Sequence, residues 1–199
     1  LLAHCNGDAA SYQYITQYKN AKKNCNLNND IRPVIVHAQL LPTEQLDDVH
    51  DLGMIPSFFI AHVYHWGDIH IKNFGFERSS KISLANSALK KKIKFTFHQD
   101  SPVIEPDMLE TIWCAVNRVS KNGVLLGEAE RISTLEALKA VTINSAYQYF
   151  EEDIKGSIKE GKLADLLILD KNPLKVNKME IRNIKILETI KEGNTIFRA

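Results

Sequence analysis

Four apolar segments, each followed by a segment with helical spacing of its apolar residues, are the feature that most constrains the fold of this chain. The apolar segments are LLAH, RPVIVHAQ, IPSFFIAH and IKFTFHQDSPV. The helical segments are DAASYQYITQYKNAKKN, PTEQLDDVHDLG, SLANSALKKK and PDMLETIWCAVNRV. Strands that alternate with helices form right-handed βαβ units on a parallel sheet. We therefore predict an α/β protein with four βα units, in which Thr43 caps the second helix and Gly53 ends it.

A chemically versatile side chain stands at the end of each apolar segment: His4, His37, His62 and Asp100. In a (β/α) barrel, the carboxyl ends of the strands carry the loops in which catalysis takes place. A single histidine at a strand end is usually satisfied by backbone hydrogen bonds. Four such residues in successive units instead indicate a shared site. The segment HVYHWGDIHIKNFGFER, which follows the third strand, is expected to be a long loop.

The alternation of strand and helix stops after the fourth unit. The segment TLEALKAVTINSAYQYF is expected to form one amphipathic helix. Its apolar side would contain Leu135, Leu138, Val141, Ile143 and Ala146. Later segments are typical of short strands joined by turns, with a hairpin at Gly193–Asn194. We place a domain boundary near Lys155, so that residues 1–155 form one domain and residues 156–199 belong to a small β domain.

The composition is that of a globular protein without a dominant charge. The 25 basic and 24 acidic residues leave a formal net charge of +1, which provides no field to attract nucleic acid or an anionic membrane. No apolar run reaches the roughly 18–20 residues that span a bilayer. Cys5, Cys25 and Cys114 are widely spaced and indicate neither a disulfide framework nor a thiolate zinc site. We expect no nucleic-acid or membrane partner, and a reducing, cytoplasmic location.

Six motifs resemble the C-terminal half of the metal-dependent amidohydrolase superfamily, and most of all its YtcJ-like branch, amidohydrolase family 3. They are AHCNGDAA, VIVHAQLLPTEQLDDVHDLGMIPSFF, WGDIH, FTFHQDSPV, TINSAY and KGSIKEGKLADLLILDKNPL. Their order and gaps match the family over essentially the whole chain. The resemblance implies that residues 1–155 are strands five to eight of a TIM-like (β/α)8 barrel with their helices. Residues 156–199 would be part of a small β-sandwich domain.

By position, the resemblance makes His4 the metal ligand on strand five and His37 the metal ligand on strand six. Asp100 matches the strand-eight aspartate, which contacts the metal and moves a proton. Zinc prefers imidazole nitrogen and carboxylate oxygen, and a bound metal lowers the pKa of its water to about 7. A carboxylate beside that water can accept its proton and return it to the leaving amine. Taken alone, Asp100 is equally well explained as a turn residue before Ser101–Pro102.

Further site residues are expected around the third strand and the first helix. For His62 we expect substrate contact or polarisation of a carbonyl group, while Tyr64 and Trp66 would form the wall of an apolar pocket. His65 and His70 are about as well explained by hydrogen bonds within an ordered loop. Asp8 is expected to cap the first helix and to support the ligand His4 from behind.

These expectations describe a metal-dependent hydrolase that cleaves a non-peptide carbon–nitrogen bond, an amide or cyclic amide, in a small molecule. Its cofactor would be a divalent metal ion, with zinc preferred. The alternative is a non-catalytic relative that regulates exoenzyme production. The joint presence of His4, His37 and Asp100 favours the enzyme. The family's HxH motif on strand one does not occur here, and half a barrel has two open edges, so we expect the 199-residue chain alone to self-associate and to be inactive.

Overall fold

A parallel sheet of four strands organises the first part of the chain. The computed structural model describes residues 1–25 and 29–199. The strands are β1 (Leu2–Cys5), β2 (Val34–His37), β3 (Ile55–Phe58) and β4 (Thr96–Phe97). Their order in the sheet follows the chain, and every neighbouring pair is parallel. This confirms the predicted α/β class and corresponds to half of an eight-stranded barrel.

Helices connect the strands and cover the sheet. Helix α1 (Asp8–Asn24) follows β1, and a 3-10 turn at Thr43–Gln45 leads into α2 (Leu46–Asp51) after β2. Four helices follow β3: α3 (His62–His65), α4 (Gly67–Phe74), α5 (Phe76–Ser80) and α6 (Ala85–Lys90). The helices after β4 are α7 (Met108–Asn117), α8 (Thr134–Val141) and α9 (Ile143–Gln148). In the part of the chain that the structure describes, no helix is both long and apolar enough to cross a membrane.

The core lies between the sheet and these helices. All four residues of β3 are buried, as expected of a parallel strand that is covered on both faces. Ile35 of β2, Phe58 of β3 and Trp113 of α7 are at most 1% exposed and belong to one apolar cluster. The contiguous core holds the strand ends, and therefore the residues that follow them, in fixed positions.

Two local predictions for the connections were wrong. The segment after β3 is not a long loop but three short helices, and His62 begins α3 four residues beyond the end of the strand. Thr43 does not cap α2; it lies inside the 3-10 turn, and no side chain caps either helix start. Gly53 does follow α2 with a left-handed φ of 65°, a conformation that glycine adopts without steric cost.

The predicted helix over residues 134–150 is broken in two. Thr142 has φ −126° and ψ −95°, and its hydroxyl donates to the carbonyl of Leu138 at 2.7 Å. A threonine that bonds back to its own helix competes with continuation of that helix. The buried side of α8 contains Ala137 and Ala140, whereas Leu135 is 48% exposed.

A second, antiparallel sheet follows in the order β5 (Leu166–Leu169), β6 (Ile186–Lys191) and β7 (Asn194–Arg198). Lys191 pairs with Asn194, so the hairpin loop is Glu192–Gly193, one residue earlier than predicted. Both loop residues have positive φ, 49° and 79°, as a type I′ turn requires.

The chain between β5 and β6 packs against α7. A 3-10 segment, Lys178–Asn183, contains the fully buried Ile181. The Trp113 indole N–H donates to the carbonyl of Met179 at 3.0 Å, and the Asn117 amide donates to the carbonyl of Lys178 at 3.0 Å. These contacts anchor the C-terminal part of the chain to the helix that follows β4.

A fully buried arginine, Arg118, ends α7. Its backbone is left-handed with φ 51°. Its guanidinium donates to the carbonyls of Leu126 at 2.9 Å, Ser83 at 3.2 Å and Ile82 at 2.8 Å. Burial lowers the pKa of Arg118 to about 10, so the side chain remains charged at neutral pH. The charge therefore ties α7 to the segment before α6.

Replacing Arg118 tests whether these hydrogen bonds stabilise the fold. In the intact protein, Arg118→Met leaves the carbonyls of Ile82 and Leu126 without their donor, and we expect the free energy of unfolding to fall by about 3–5 kcal/mol. Urea denaturation followed by circular dichroism measures the change. Lys81→Met, at an exposed position, serves as the matched control and should cost no more than about 0.5 kcal/mol. A loss below about 1 kcal/mol in Arg118→Met would contradict the assigned role.

A second arginine, Arg32, links the segment before β2 to the end of α9. Its guanidinium forms two hydrogen bonds with the Glu152 carboxylate, at 2.7 and 2.9 Å. The same group lies 3.6 Å from the ring centre of Tyr147 and 4.0 Å from that of Phe150. These hydrogen bonds lower the pKa of Glu152. The pair therefore ties the start of β2 to the chain that follows α9.

The lowered pKa makes a pH-dependent contribution to stability. A carboxyl group with a depressed folded-state pKa stabilises the fold above its unfolded pKa, about 4.3, and this contribution is lost as the pH falls through the folded value. We expect Glu152→Gln to unfold more easily than wild type by about 1 kcal/mol at pH 7. The difference should shrink below about pH 4 in urea titrations. A difference independent of pH, or an equal one in the exposed control Glu160→Gln, would refute the prediction.

Candidate metal centre

Two histidines meet at the carboxyl edge of the parallel sheet. In the register of β1 and β2, His4 pairs with Val36, and Cys5 pairs with His37. The ring centres of His4 and His37 are 4.5 Å apart, with the ring planes at 79°. His37 is 4% exposed, whereas His4 is open to solvent. Two imidazoles on neighbouring strands therefore face the same small volume.

The backbone at two of the predicted ligands is unusual. His37 has φ 72°, the following Ala38 has φ 46°, and Asp100 has φ 52°. Residues other than glycine rarely adopt a left-handed backbone, and such residues cluster at functional sites. Asp100 begins a turn in which its carbonyl accepts from the amide of Val103 at 2.8 Å. The turn interpretation of Asp100 and the site interpretation are thus compatible.

His98, which the sequence reasoning missed, belongs to the same site. It directly follows β4, and its ring centre is 4.9 Å from that of His37. The signal was present in the sequence, because residues two apart on an extended chain lie on one face and His98 precedes Asp100 by two. Only its contact with His37 distinguishes it from an ordinary strand-end histidine.

Aromatic rings continue the site beyond His37. The ring of Phe59, which is 1% exposed, lies 4.4 Å from His62, 5.5 Å from His98 and 5.8 Å from Trp66 between ring centres. These four residues, Phe59, His62, Trp66 and His98, are called the aromatic cluster below. The ring of His62 is 6.1 Å from that of His37, so the cluster adjoins the histidine pair.

Burial keeps the clustered imidazoles neutral. It lowers the pKa of His62 to about 3 and that of His98 to about 4, and the neighbouring histidines add to both shifts. Burial also lowers the pKa of His37, while Asp100 opposes the shift at His37 and His98. The Asp100 charge therefore favours protonation of both rings, but burial outweighs it. Neutral imidazole is the form that ligates metal ions.

Among the described residues, several buried imidazole nitrogens have no hydrogen-bond partner: Nδ1 of His37, Nδ1 of His62 and Nε2 of His98. Leaving such an atom unpaired costs about 1–3 kcal/mol, so packing alone does not explain these side chains. Imidazole nitrogen and carboxylate oxygen also form the donor set that zinc prefers. Within residues 1–25 and 29–199, no group of three or more His, Cys, Asp or Glu side chains is arranged to hold a metal ion by itself. The donors present fit a divalent metal as a partial ligand set.

Tyr64 does not lie with the aromatic cluster. Its ring packs edge-on against Trp113 of α7 at 5.2 Å. Its neighbour His65 places Nε2 2.7 Å from Oε1 of Glu110, also on α7. Both side chains therefore attach α3 to α7.

Asp8 and His70 make specific contacts next to the site. The prediction that Asp8 caps α1 was wrong, because Asp8 is the first residue of the helix and Gly7 occupies the cap position without a side-chain hydrogen bond. The Asp8 carboxylate accepts from the amide of Ala9 at 2.8 Å and from Nη2 of Arg78 at 2.8 Å. His70 Nε2 is 2.8 Å from Nε2 of the buried Gln39. These contacts join α5 to the start of α1, and α4 to the loop that follows β2.

Comparison with known proteins identifies the family to which this chain belongs. The sequence pattern described as "Amidohydrolase family" matches residues 1–197. The chain is 27% identical over 194 residues to the N-substituted formamide deformylase of Arthrobacter pascens, covering 97% of the chain and 35% of that protein. It is 26% identical over 169 residues to the putative amidohydrolase YtcJ of Bacillus subtilis (strain 168), covering 82% of the chain and 31% of that protein.

A solved structure has a fold similar to that of this chain. The crystal structure of an uncharacterised metal-dependent hydrolase from Pyrococcus furiosus superposes with a TM-score of 0.70 at 29% identity. The match covers 87% of this chain and 34% of that one. This chain spans about a third of the length of the curated relatives it matches. By sequence over nearly its full length, and by fold, the chain belongs to the amidohydrolase family.

Proposed function

We propose that the intact protein is a metal-dependent hydrolase that cleaves the carbon–nitrogen bond of a non-peptide amide or cyclic amide in a small molecule. The observation that carries this proposal is the meeting of His4 and His37, with rings 4.5 Å apart, at the carboxyl edge of the sheet, where Asp100 follows β4 by three residues. The names of similar proteins, a formamide deformylase and a metal-dependent hydrolase, support the same reaction class.

His4, His37 and Asp100 would hold a divalent metal, with zinc preferred on the chemistry of the donors. A metal bound there would supply an activated water at neutral pH. Asp100 would accept the proton of that water at a carboxylate oxygen and return it to the leaving nitrogen. Its exposed position at the start of a turn leaves the carboxylate free to meet both groups.

The remaining predicted residues act around this centre. His62, which adjoins His37, would donate a hydrogen bond to the substrate carbonyl, and Trp66 would contact the substrate through its ring. Asp8 would hold the start of α1, four residues beyond His4, through its bond to Arg78. Tyr64 would act by holding α3 on α7 rather than by touching substrate. Residues 156–199 would belong to a small β-sandwich domain.

The role of Asp100 is tested by Asp100→Asn in the intact protein. Asparagine has nearly the same shape and tolerates a left-handed backbone, but its amide cannot accept the proton. We expect kcat for a simple amide such as acetanilide to fall by about 10²–10⁴-fold, with an unchanged circular dichroism spectrum. Glu105→Gln, at a nearby exposed position, should retain the wild-type rate. A near-wild-type rate in Asp100→Asn would remove the proton-transfer role.

The ligand roles of His4 and His37 are tested by metal content, independently of turnover. We expect the intact protein to retain a divalent metal after dialysis, and His4→Asn or His37→Asn to weaken its binding by at least about tenfold in calorimetric titration with Zn²⁺. His50→Asn changes a half-exposed histidine that pairs with Asp51 at 2.9 Å, and should bind like wild type. Equal binding by all three variants would contradict the assignment.

A further inference from the structure

We propose that the aromatic cluster of Phe59, His62, Trp66 and His98 makes the protein select substrates that carry an uncharged aromatic ring next to the scissile bond. This inference rests on the proposed function and names the substrate class of the same site.

The rings of the cluster pack at angles that suit contact with a further planar ring. Its members meet at tilted and edge-to-face angles, with His62 and Trp66 5.5 Å apart at 76° and Phe59 and Trp66 5.8 Å apart at 62°. Aromatic rings prefer these arrangements to a face-to-face sandwich, and each added partner contributes beyond its buried area. Phe59 is buried, whereas His62, Trp66 and His98 are partly exposed. The three partly exposed residues therefore surround one buried ring, at 4.4, 5.8 and 5.5 Å between ring centres.

The position of the cluster relative to the proposed ligands defines which part of the substrate it contacts. The ring of His37 lies 4.9 Å from His98, 6.1 Å from His62 and 6.4 Å from Phe59. A substrate whose carbonyl lies at the ligand His37 would therefore place its adjacent substituent on the cluster. That contact would lie next to the reacting bond, so the cluster would affect which substrates react as well as how tightly they bind.

The charges around the cluster exclude ionic substituents. None of its four side chains is an acid, a lysine or an arginine, so an anionic substituent would lose water without gaining an ion-pair partner. The negative faces of the rings would also repel an anionic group. The ring faces attract a cationic group, but the metal that His4 and His37 are proposed to hold would repel it. An uncharged ring avoids all three costs.

Binding of three amides to the intact, metal-loaded protein tests the proposal. The probes are benzamide, its saturated analogue cyclohexanecarboxamide, and the cationic 4-(aminomethyl)benzamide, measured by isothermal titration calorimetry. We expect benzamide to bind about fivefold more tightly than either of the others, as one added aromatic contact allows. Trp66→Leu should reduce the preference over cyclohexanecarboxamide to about one, and Trp66→Phe should keep most of it.

A control and a second variant keep the outcome decisive. Tyr12→Leu removes a ring that is 61% exposed on α1 and should leave the preference unchanged. His62→Leu should lower the preference as Trp66→Leu does, and replaces Trp66→Leu if that variant does not fold. Equal binding of benzamide and cyclohexanecarboxamide to wild type, or an unchanged preference in the folded variants, overturns the proposal. Absence of amide hydrolysis by wild type would instead refute the proposed function, while the binding preference would still decide this inference.

Discussion

The parallel pairing of β1 to β4 is the constraint on which the candidate site depends. Parallel strands in one register bring all their carboxyl ends to the same edge, which is how His4, His37 and His98 become neighbours although up to 94 positions separate them. A slip of one residue between β1 and β2 would exchange the faces of the sheet and separate the two rings that now lie 4.5 Å apart. The chemistry of the site is therefore a consequence of strand register.

Two arginines, one buried and one half-buried, hold the connections between the strands and helices. The Arg118 guanidinium donates to the carbonyls of Ile82, Ser83 and Leu126, and Arg32 joins the start of β2 to the region after α9. Both guanidiniums reach across segments that are distant in the sequence, as a planar group with five donors can. The loops at the strand ends are thus fixed by polar contacts as well as by the apolar core.

The histidines of the site work against stability. Among the described residues, their buried nitrogens lack hydrogen-bond partners, and their neighbours are other histidines. His37 and Asp100 also have left-handed backbones. In a chain selected only for folding, apolar residues would fill the same volume at lower free energy. Such local departures from a stable core are expected where a site is kept for chemistry.

The sequence by itself determined the strands, the alternation with helices and the placement of His4, His37 and Asp100, because these depend on local apolar periodicity and on position along a strand. Helix α1 was predicted with the bounds that the structure shows. Only the tertiary structure decided that His98 touches His37, that Tyr64 faces Trp113, and that Thr142 interrupts the last long helix. The first two depend on which residues of distant segments meet, and no local pattern contains that information. The break at Thr142 comes from a hydroxyl that bonds back to Leu138, a choice that the apolar periodicity does not reveal.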